Sequence, residues 1–391
     1  MPFDFYQPPH RILMGPGPSM VDPRVYQAMA APLVGHTDPD FFGVLEDTSE
    51  LLRYVFGTRN KFTIAISGTG TAGMEAAVVN FVEAGTKVAV FANGYFSDRF
   101  TDMCARQGAN VVRSEKPWGS VYSDEEARAF IECEKPQIVM FVHAETSTGA
   151  YQPAAAICAA AHECGALTIA DCVTSLGGMP VEVDANGIDI AYSGTQKCLG
   201  APPGLAPLTL SGKAVERLRS RESACVSWYL DLKLIDEYWG NSHRYHHTTP
   251  ITMFYALREA LRLCHQETKE ARFARHRLNH LAFVSGIEAM GLEMLVARED
   301  RLWTLQTPRL PDGCNDGELR RYLLTEFGIE VLGGFGPLAG KVLRVGLMGA
   351  SSRRQYVLLL LGALGTYLGE RGGVAAAETV YERKAWRGGF L

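Results

Sequence analysis

The stretch FTIAISGTGTAGMEAAVVNFV, residues 62–82, passes from an unbroken apolar run (62–66) through a glycine-rich turn (67–73) into a helix-like run (74–82). A buried strand feeding a helix through small residues is the repeating unit of a parallel α/β sheet. The turn also carries Gly68-x-Gly70-x-x-Gly73, the spacing of a dinucleotide-binding loop. That reading requires an acid about 20 residues on, at the end of the second strand. Here the next apolar run, KVAVFA (87–92), ends at Asn93-Gly94, and no carboxylate stands there to take a ribose hydroxyl. A glycine turn opening a helix still cradles an anion. Its backbone N–H groups and the helix dipole point at the charge, and the hydroxyls of Ser67, Thr69 and Thr71 add donors. The turn therefore points to a phosphate cofactor other than a dinucleotide; a tight turn that merely needs small residues is the plainer alternative.

Outward from this unit the same alternation continues. The apolar runs ANVVRS (109–114), QIVMFV (137–142), ALTIADC (166–172) and DIAYSG (189–194) are separated by helix-like segments. The pattern predicts an α/β fold, a mainly parallel sheet covered on both faces, with its sites at the carboxyl ends of the strands. After Pro250 the character changes. The stretch 252–291 reads as two consecutive helices, since one would be longer than usual. LWTLQTPRLP, GELRRYLLTEFG, KVLRVGLMG and YVLLLLGALGTYL then predict a small α+β unit. We expect an extended arm over residues 1–20, where Pro8, Pro9, Pro16 and Pro18 disfavour regular structure, a large domain over 21–265 and a small domain over 266–391. The segment 371–391 carries no reading.

Composition narrows the class. The 391 residues are 47% hydrophobic, and 38 basic against 43 acidic residues leave a net charge of −5. That balance argues against a nucleic-acid or anionic-membrane partner. No run of about 18 apolar residues predicts a membrane span. The first residues lack the pattern of a signal peptide, and the last three, Gly389-Phe390-Leu391, are not a Ser-Lys-Leu address. Nine cysteines stand singly, without CxxC or zinc spacing. A reduced, cytoplasmic setting is the expectation.

Two segments carry chemistry. In ALTIADCVTSLGG, Asp171 closes an apolar strand, where an ionised carboxylate is costly without a partner. Alone, such an Asp is ordinarily a turn cap. In AYSGTQKCLGAPPG, Lys197 follows a strand and precedes a stiff Gly-Ala-Pro-Pro-Gly run. Alone, such a Lys is ordinarily solvated. Together, a phosphate cradle, a strand-end acid and a strand-end amine on one parallel sheet match the needs of pyridoxal phosphate: an amine for a Schiff base, an acid for the pyridinium nitrogen and an anion site.

The sequence resembles the class V, fold-type I aminotransferases, specifically the alanine–glyoxylate and serine–pyruvate aminotransferases. The matching pieces are GPGPS (15–19), SGTGTAGMEAA (67–77), ANGYFSDR (92–99), HAETSTG (143–149), DCVTSLGG (171–178), YSGTQKCLGAPPG (192–204), WYLDLK (228–233), YHHTTP (245–250) and KVLRVGLMG (341–349). They occur in the family's order over residues 11 to about 370. The resemblance implies pyridoxal 5'-phosphate bound as a Schiff base to Lys197, with Asp171 on its ring nitrogen. It implies Thr69, Gly70, Thr71 and Gln196 at the phosphate, Thr146 near the ring, and Phe96 stacked on it. Arg344 is implied to bind the substrate carboxylate, as a guanidinium fork reads a carboxylate through two parallel hydrogen bonds. Without the resemblance, an Arg in a strand is ordinarily part of a surface ion pair. Tyr245 and Thr248 are implied to reach the phosphate of the neighbouring subunit, hence a homodimer. His246-His247 invite a metal reading; we discount it because adjacent histidines point apart in most backbones.

Phe96 stands where mammalian members carry Trp, and Thr71 where they carry His. Both departures bear on the choice of substrate, not on the cofactor. The expected reaction is transfer of an amino group from alanine or serine to glyoxylate or pyruvate, in ping-pong order. The alternatives within the fold are a pyridoxamine–pyruvate aminotransferase and a cysteine desulfurase, with Cys314 in PDGCNDG as the candidate thiol. A non-catalytic binding protein of the same fold is more remote.

Overall fold

A computed structural model of the chain describes residues 6–240 and 242–386. The apolar runs form the central sheet: β1 (Phe62–Ser67), β2 (Lys87–Ala92), β3 (Asn110–Glu115), β4 (Ile138–Val142), β5 (Leu167–Asp171) and β6 (Ile190–Tyr192). A seventh strand, β7 (Leu205–Leu210), completes it, and the spatial order is β1-β7-β6-β5-β4-β2-β3. Neighbouring strands from β6 to β3 pair in parallel, while β7 runs antiparallel to both β1 and β6.

Every residue of β1, β4 and β5 is buried, so these strands read as continuous apolar runs. Successive side chains alternate between two cores. Ile64, Ile66, Val88, Val90, Met140 and Ile169 pack beneath α1 (Gly70–Phe81) and α2 (Tyr95–Arg106). Ala65, Phe91, Phe141 and Ala170 face the helix Pro39–Phe56 and α3 (Ile251–Glu267). Each buried Val, Ile or Phe stabilises the sheet by about 1.5–3 kcal/mol relative to exposure. The edge strand β3 is half-exposed and carries Arg113 and Glu115, charges that discourage further strand pairing.

β7 is absent from the sequence reading, and Pro207 is the reason. A proline ordinarily excludes a central strand. Here Pro207 accepts from the Ser193 N–H at 2.8 Å, so its carbonyl serves the sheet although it has no N–H to offer.

The two helices expected over 252–291 are α3 and α4 (Lys269–Ala289), parted at Thr268, whose φ is +67°. Thr268 accepts from Ala271 N–H and so caps α4. Phe254, Leu257 and Leu261 of α3 belong to a core of the large sheet. Phe283 and Ile287 of α4 belong to a separate core with Leu319, Leu343, Val345 and Leu361. The N-terminal arm is not wholly irregular. Ile12–Leu13 pair in parallel with Ile329–Glu330, and Met14 is buried in the second core. Among the described residues no helix is long and apolar enough to cross a membrane. Residues 1–5 of the expected arm and residues 387–391 lie outside the described residues.

Candidate active site

Asp171 ends β5, one position across from Tyr192 at the end of β6. In this parallel register both side chains leave the same face of the sheet, and the Tyr192 hydroxyl donates to Asp171 Oδ2 at 2.7 Å. Val173 N–H donates to Oδ1 at 2.9 Å. Asp171 is 3% exposed. Burial raises its pKa to about 6, against the lowering effect of the Tyr192 and Val173 bonds. Such a group calls for a cationic partner.

The loop leaving β6 brings Lys197 to the same end of the sheet. The N-terminal arm closes over it: Lys197 Nζ donates to the carbonyl of Pro16. Ser19 N–H donates to Gln196 O and Ser19 Oγ to Lys197 O. Gly17 has φ +114°, where any other residue is strained, and a Cβ there would lie 2.6 Å from Lys197 Nζ and displace it. Burial lowers the Lys197 pKa to about 8, which makes the neutral amine accessible near physiological pH.

The glycine turn packs against these loops. Gly70 opens α1, and a Cβ on it would meet Val173 at 3.2 Å and Gly194 at 3.6 Å. Thr69 is the N-cap, yet its side chain makes no capping bond. Ala72 N–H donates to Thr69 O at 2.7 Å, whereas the Gly70 and Thr71 amides, the first two of the helix, have no backbone acceptor. Close by, Gln196 Oε1 is buried with no hydrogen-bond partner among the described residues.

Arg344 arrives from the second core on the strand Leu343–Gly346 and is 2% exposed. The expectation of a surface ion pair for an isolated strand Arg does not hold. Arg344 Nε donates to Gly333 O at 2.8 Å, and Nη1 lies 3.5 Å from Thr146 O. The guanidinium sits 3.8 Å from the centre of the Phe335 ring, which in turn packs on Tyr95. Thr146 Oγ1 is 2.5 Å from Thr174 Oγ1, three residues beyond Asp171. Phe96 is half-buried in the first turn of α2.

Tyr245 and Thr248 stand apart from this cluster. Both are exposed, Tyr245 at 59%. Tyr245 packs on His36, and Thr248 lines a cleft with Ser67, Gly68, Ala72 and Glu75 beside the start of α1. The two histidines between them do not point apart: their Nδ1 atoms are 2.6 Å from one another. His247 Nε2 bonds Ser67 Oγ at 2.7 Å, and His246 Nε2 approaches Trp228 O at 3.2 Å. Burial, reinforced by His246, lowers the His247 pKa to about 4. The pair tethers its segment to the glycine turn.

Sequence reasoning passed over two buried groups. Tyr192 becomes visible only through its register with Asp171. Glu145, in HAETSTG, is fully buried and accepts from Ser147 N–H, Ser147 Oγ and Phe96 N–H at 3.0, 2.6 and 3.3 Å. Burial raises its pKa to about 7. A carboxylate among small residues just after an apolar strand was the available signal. Glu145 fixes the first turn of α2, which carries Phe96.

A buried acid awaiting a cation, a buried amine near neutrality and an uncapped helix end, all at the carboxyl ends of one largely parallel sheet, define a pyridoxal phosphate site of fold type I. The residues fit the group: Asp171 for the ring nitrogen, Lys197 for the carbonyl carbon, Gln196 and the α1 amides for the phosphate.

Comparison with known proteins agrees. The family described as aminotransferase class-V matches residues 16–336. The (S)-ureidoglycine–glyoxylate transaminase of Bacillus subtilis is 39% identical over 374 residues, covering 91% of this chain and 90% of that protein. The crystal structure of an alanine–glyoxylate aminotransferase from Nostoc sp. superposes with a TM-score of 0.92 at 48% identity, covering 94% of this chain and 97% of the other. That of the Bacillus subtilis ureidoglycine–glyoxylate aminotransferase gives 0.94 at 40% identity, covering 96% and 99%. The chain belongs to the class-V aminotransferases and is a pyridoxal phosphate-dependent transaminase.

Proposed function

We propose that the chain transfers the amino group of a small amino acid, alanine or serine, to glyoxylate. The observation that carries this reading is Arg344. Its guanidinium is buried, uses two of its five N–H donors and forms no ion pair among the described residues; the Glu145 carboxyl acts on its charge only at a distance. A desolvated fork of this kind is completed by a substrate carboxylate, which both amino and oxo acids present. Glyoxylate is the acceptor for which both groups of relatives are named.

When bound, pyridoxal phosphate supplies the carbonyl that condenses with amines and the ring that takes up the electron pair released at the donor's α-carbon. Asp171, held by Tyr192 and Val173, keeps a negative charge opposite the ring nitrogen. Arg344 orients the donor by its carboxylate. Lys197 Nζ, as a free amine, would remove the donor's α-proton as a general base. In the second half-reaction Lys197 Nζ returns a proton to the α-carbon of the acceptor. The donor's oxo acid leaves before glyoxylate enters, a ping-pong order. Tyr245 and Thr248 complete the phosphate site of a second copy in a homodimer; the exposure of both and the place of Thr248 beside the glycine turn support this.

A second donor, (S)-ureidoglycine, is favoured by the likeness to the Bacillus subtilis enzyme. Cys314 gives no support to a desulfurase. It packs against the second core, its pKa is raised by burial, and it lines a cleft that holds none of the site residues.

The test is the absorbance spectrum of the purified protein with single donors and no acceptor. Bleaching of a yellow band by alanine, serine or (S)-ureidoglycine, with one equivalent of oxo acid, supports the reading and ranks the donors. A yellow band that none of them bleaches contradicts it.

A further inference from the structure

The residues gathered for the phosphate, Thr69, Gly70, Thr71 and Gln196, are all neutral. A phosphate monoester carries about −1.5 to −2 charges, and a helix N-terminus answers with about +0.5. Charge is left over at a partly enclosed site.

One cation stands beside it. Arg99 lies on α2, and its Nη1 donates to Thr71 Oγ1, in the first turn of α1, at 3.0 Å. Its guanidinium is 4.8 Å from the Phe96 ring centre and 5.3 Å from that of Tyr95. These are its i−3 and i−4 neighbours, so the helix itself holds the fork in place. The acids nearest in sequence are taken: Asp98 pairs with Arg113, and Asp102 with Arg106. Among the described residues no carboxylate forms an ion pair with Arg99, and its charge acts only at longer range on Asp171. A half-buried cation against the positive end of a helix is unfavourably placed, and an anion seated between the two reverses the sign of that interaction.

We infer that Arg99 is the cationic side chain of the cofactor's phosphate site, reaching an oxygen from the α2 side while the α1 amides reach from the other. The inference rests on the pyridoxal phosphate reading. It differs from a packing role in that only ligands with a phosphate should sense it.

The test uses the full chain stripped of cofactor and titrated with pyridoxal phosphate and, separately, with pyridoxal, which lacks the phosphate. Arg99→Gln is expected to weaken pyridoxal phosphate by about ten- to a hundredfold, the size of a lost charge-assisted hydrogen bond, and to leave pyridoxal unchanged. Arg99→Lys, which keeps charge without the fork, is expected to recover part of the loss. Inorganic phosphate should compete with pyridoxal phosphate in the wild type and less in Arg99→Gln. Equal losses for both ligands, or no loss for either, would overturn the inference while leaving the cofactor reading intact. A wild-type chain that takes up neither ligand would overturn the cofactor reading itself.

Discussion

The two ends of the cofactor site are built differently. At the ring end, Asp171, Lys197 and Arg344 are enclosed by their own chain, and burial shifts each: Asp171 up to about 6, Lys197 down to about 8, Arg344 down to about 10. At the end proposed for the phosphate, Thr69, Thr71, Tyr245 and Thr248 are exposed neutral donors. Enclosure strengthens electrostatic effects and raises the cost of an unpaired charge. The ring end therefore needs complete walls, supplied by the arm over Lys197 and by Phe335 beside Arg344. Hydroxyl donors carry no charge and can wait in water for a ligand or a second subunit.

The comparison breaks first at Lys197. Lys197→Ala is expected to lower turnover with alanine and glyoxylate by at least about a thousandfold, since both the tether and the general base are lost. Substantial activity at saturating substrate would remove Lys197 from the mechanism.

Arg344→Ala should lower kcat/KM by about a hundredfold, mostly through KM for both amino and oxo acids, because two charge-assisted bonds disappear. Unchanged kinetics would place the carboxylate elsewhere.

Asp171→Asn separates stability from function. The folded pKa of Asp171 lies above its ordinary value, so the cofactor-free chain loses stability as pH rises through about 6. Replacing the acid is expected to stabilise the cofactor-free chain at pH 8 by about 1–3 kcal/mol while abolishing useful turnover. Denaturant melts at pH 4 and pH 8 read this directly. A variant less stable than wild type at pH 8 would show that the burial cost is already offset.

The smallest effect is expected at the phosphate end. A chain carrying Tyr245→Phe and Thr248→Ala should bind pyridoxal phosphate about tenfold more weakly. Refolding it together with Lys197→Ala chains tests the sharing of sites. If these residues serve the neighbouring copy, mixed dimers regain one intact site and wild-type affinity there. If they act within their own chain, mixing restores nothing.

Much of this was legible in the residues. Continuous apolar runs divided by helical segments specify buried parallel strands, because a strand covered on both faces has no polar side to show. The place of Asp171 at a strand end, and of Lys197 in the loop after the next strand, followed from that pattern. Tertiary structure decided what depends on contacts between distant segments. Pro207 hid a central strand whose partners fix the sheet order. Tyr192 joins Asp171 only through parallel register. The arm bends back across 181 positions to cover Lys197, and Arg344 reaches Thr146 across 198. A local pattern records which face of an element is apolar, not which loop will lie against it. The pKa shifts that poise the amine and the acids come from that enclosure, so they belong to the folded chain alone.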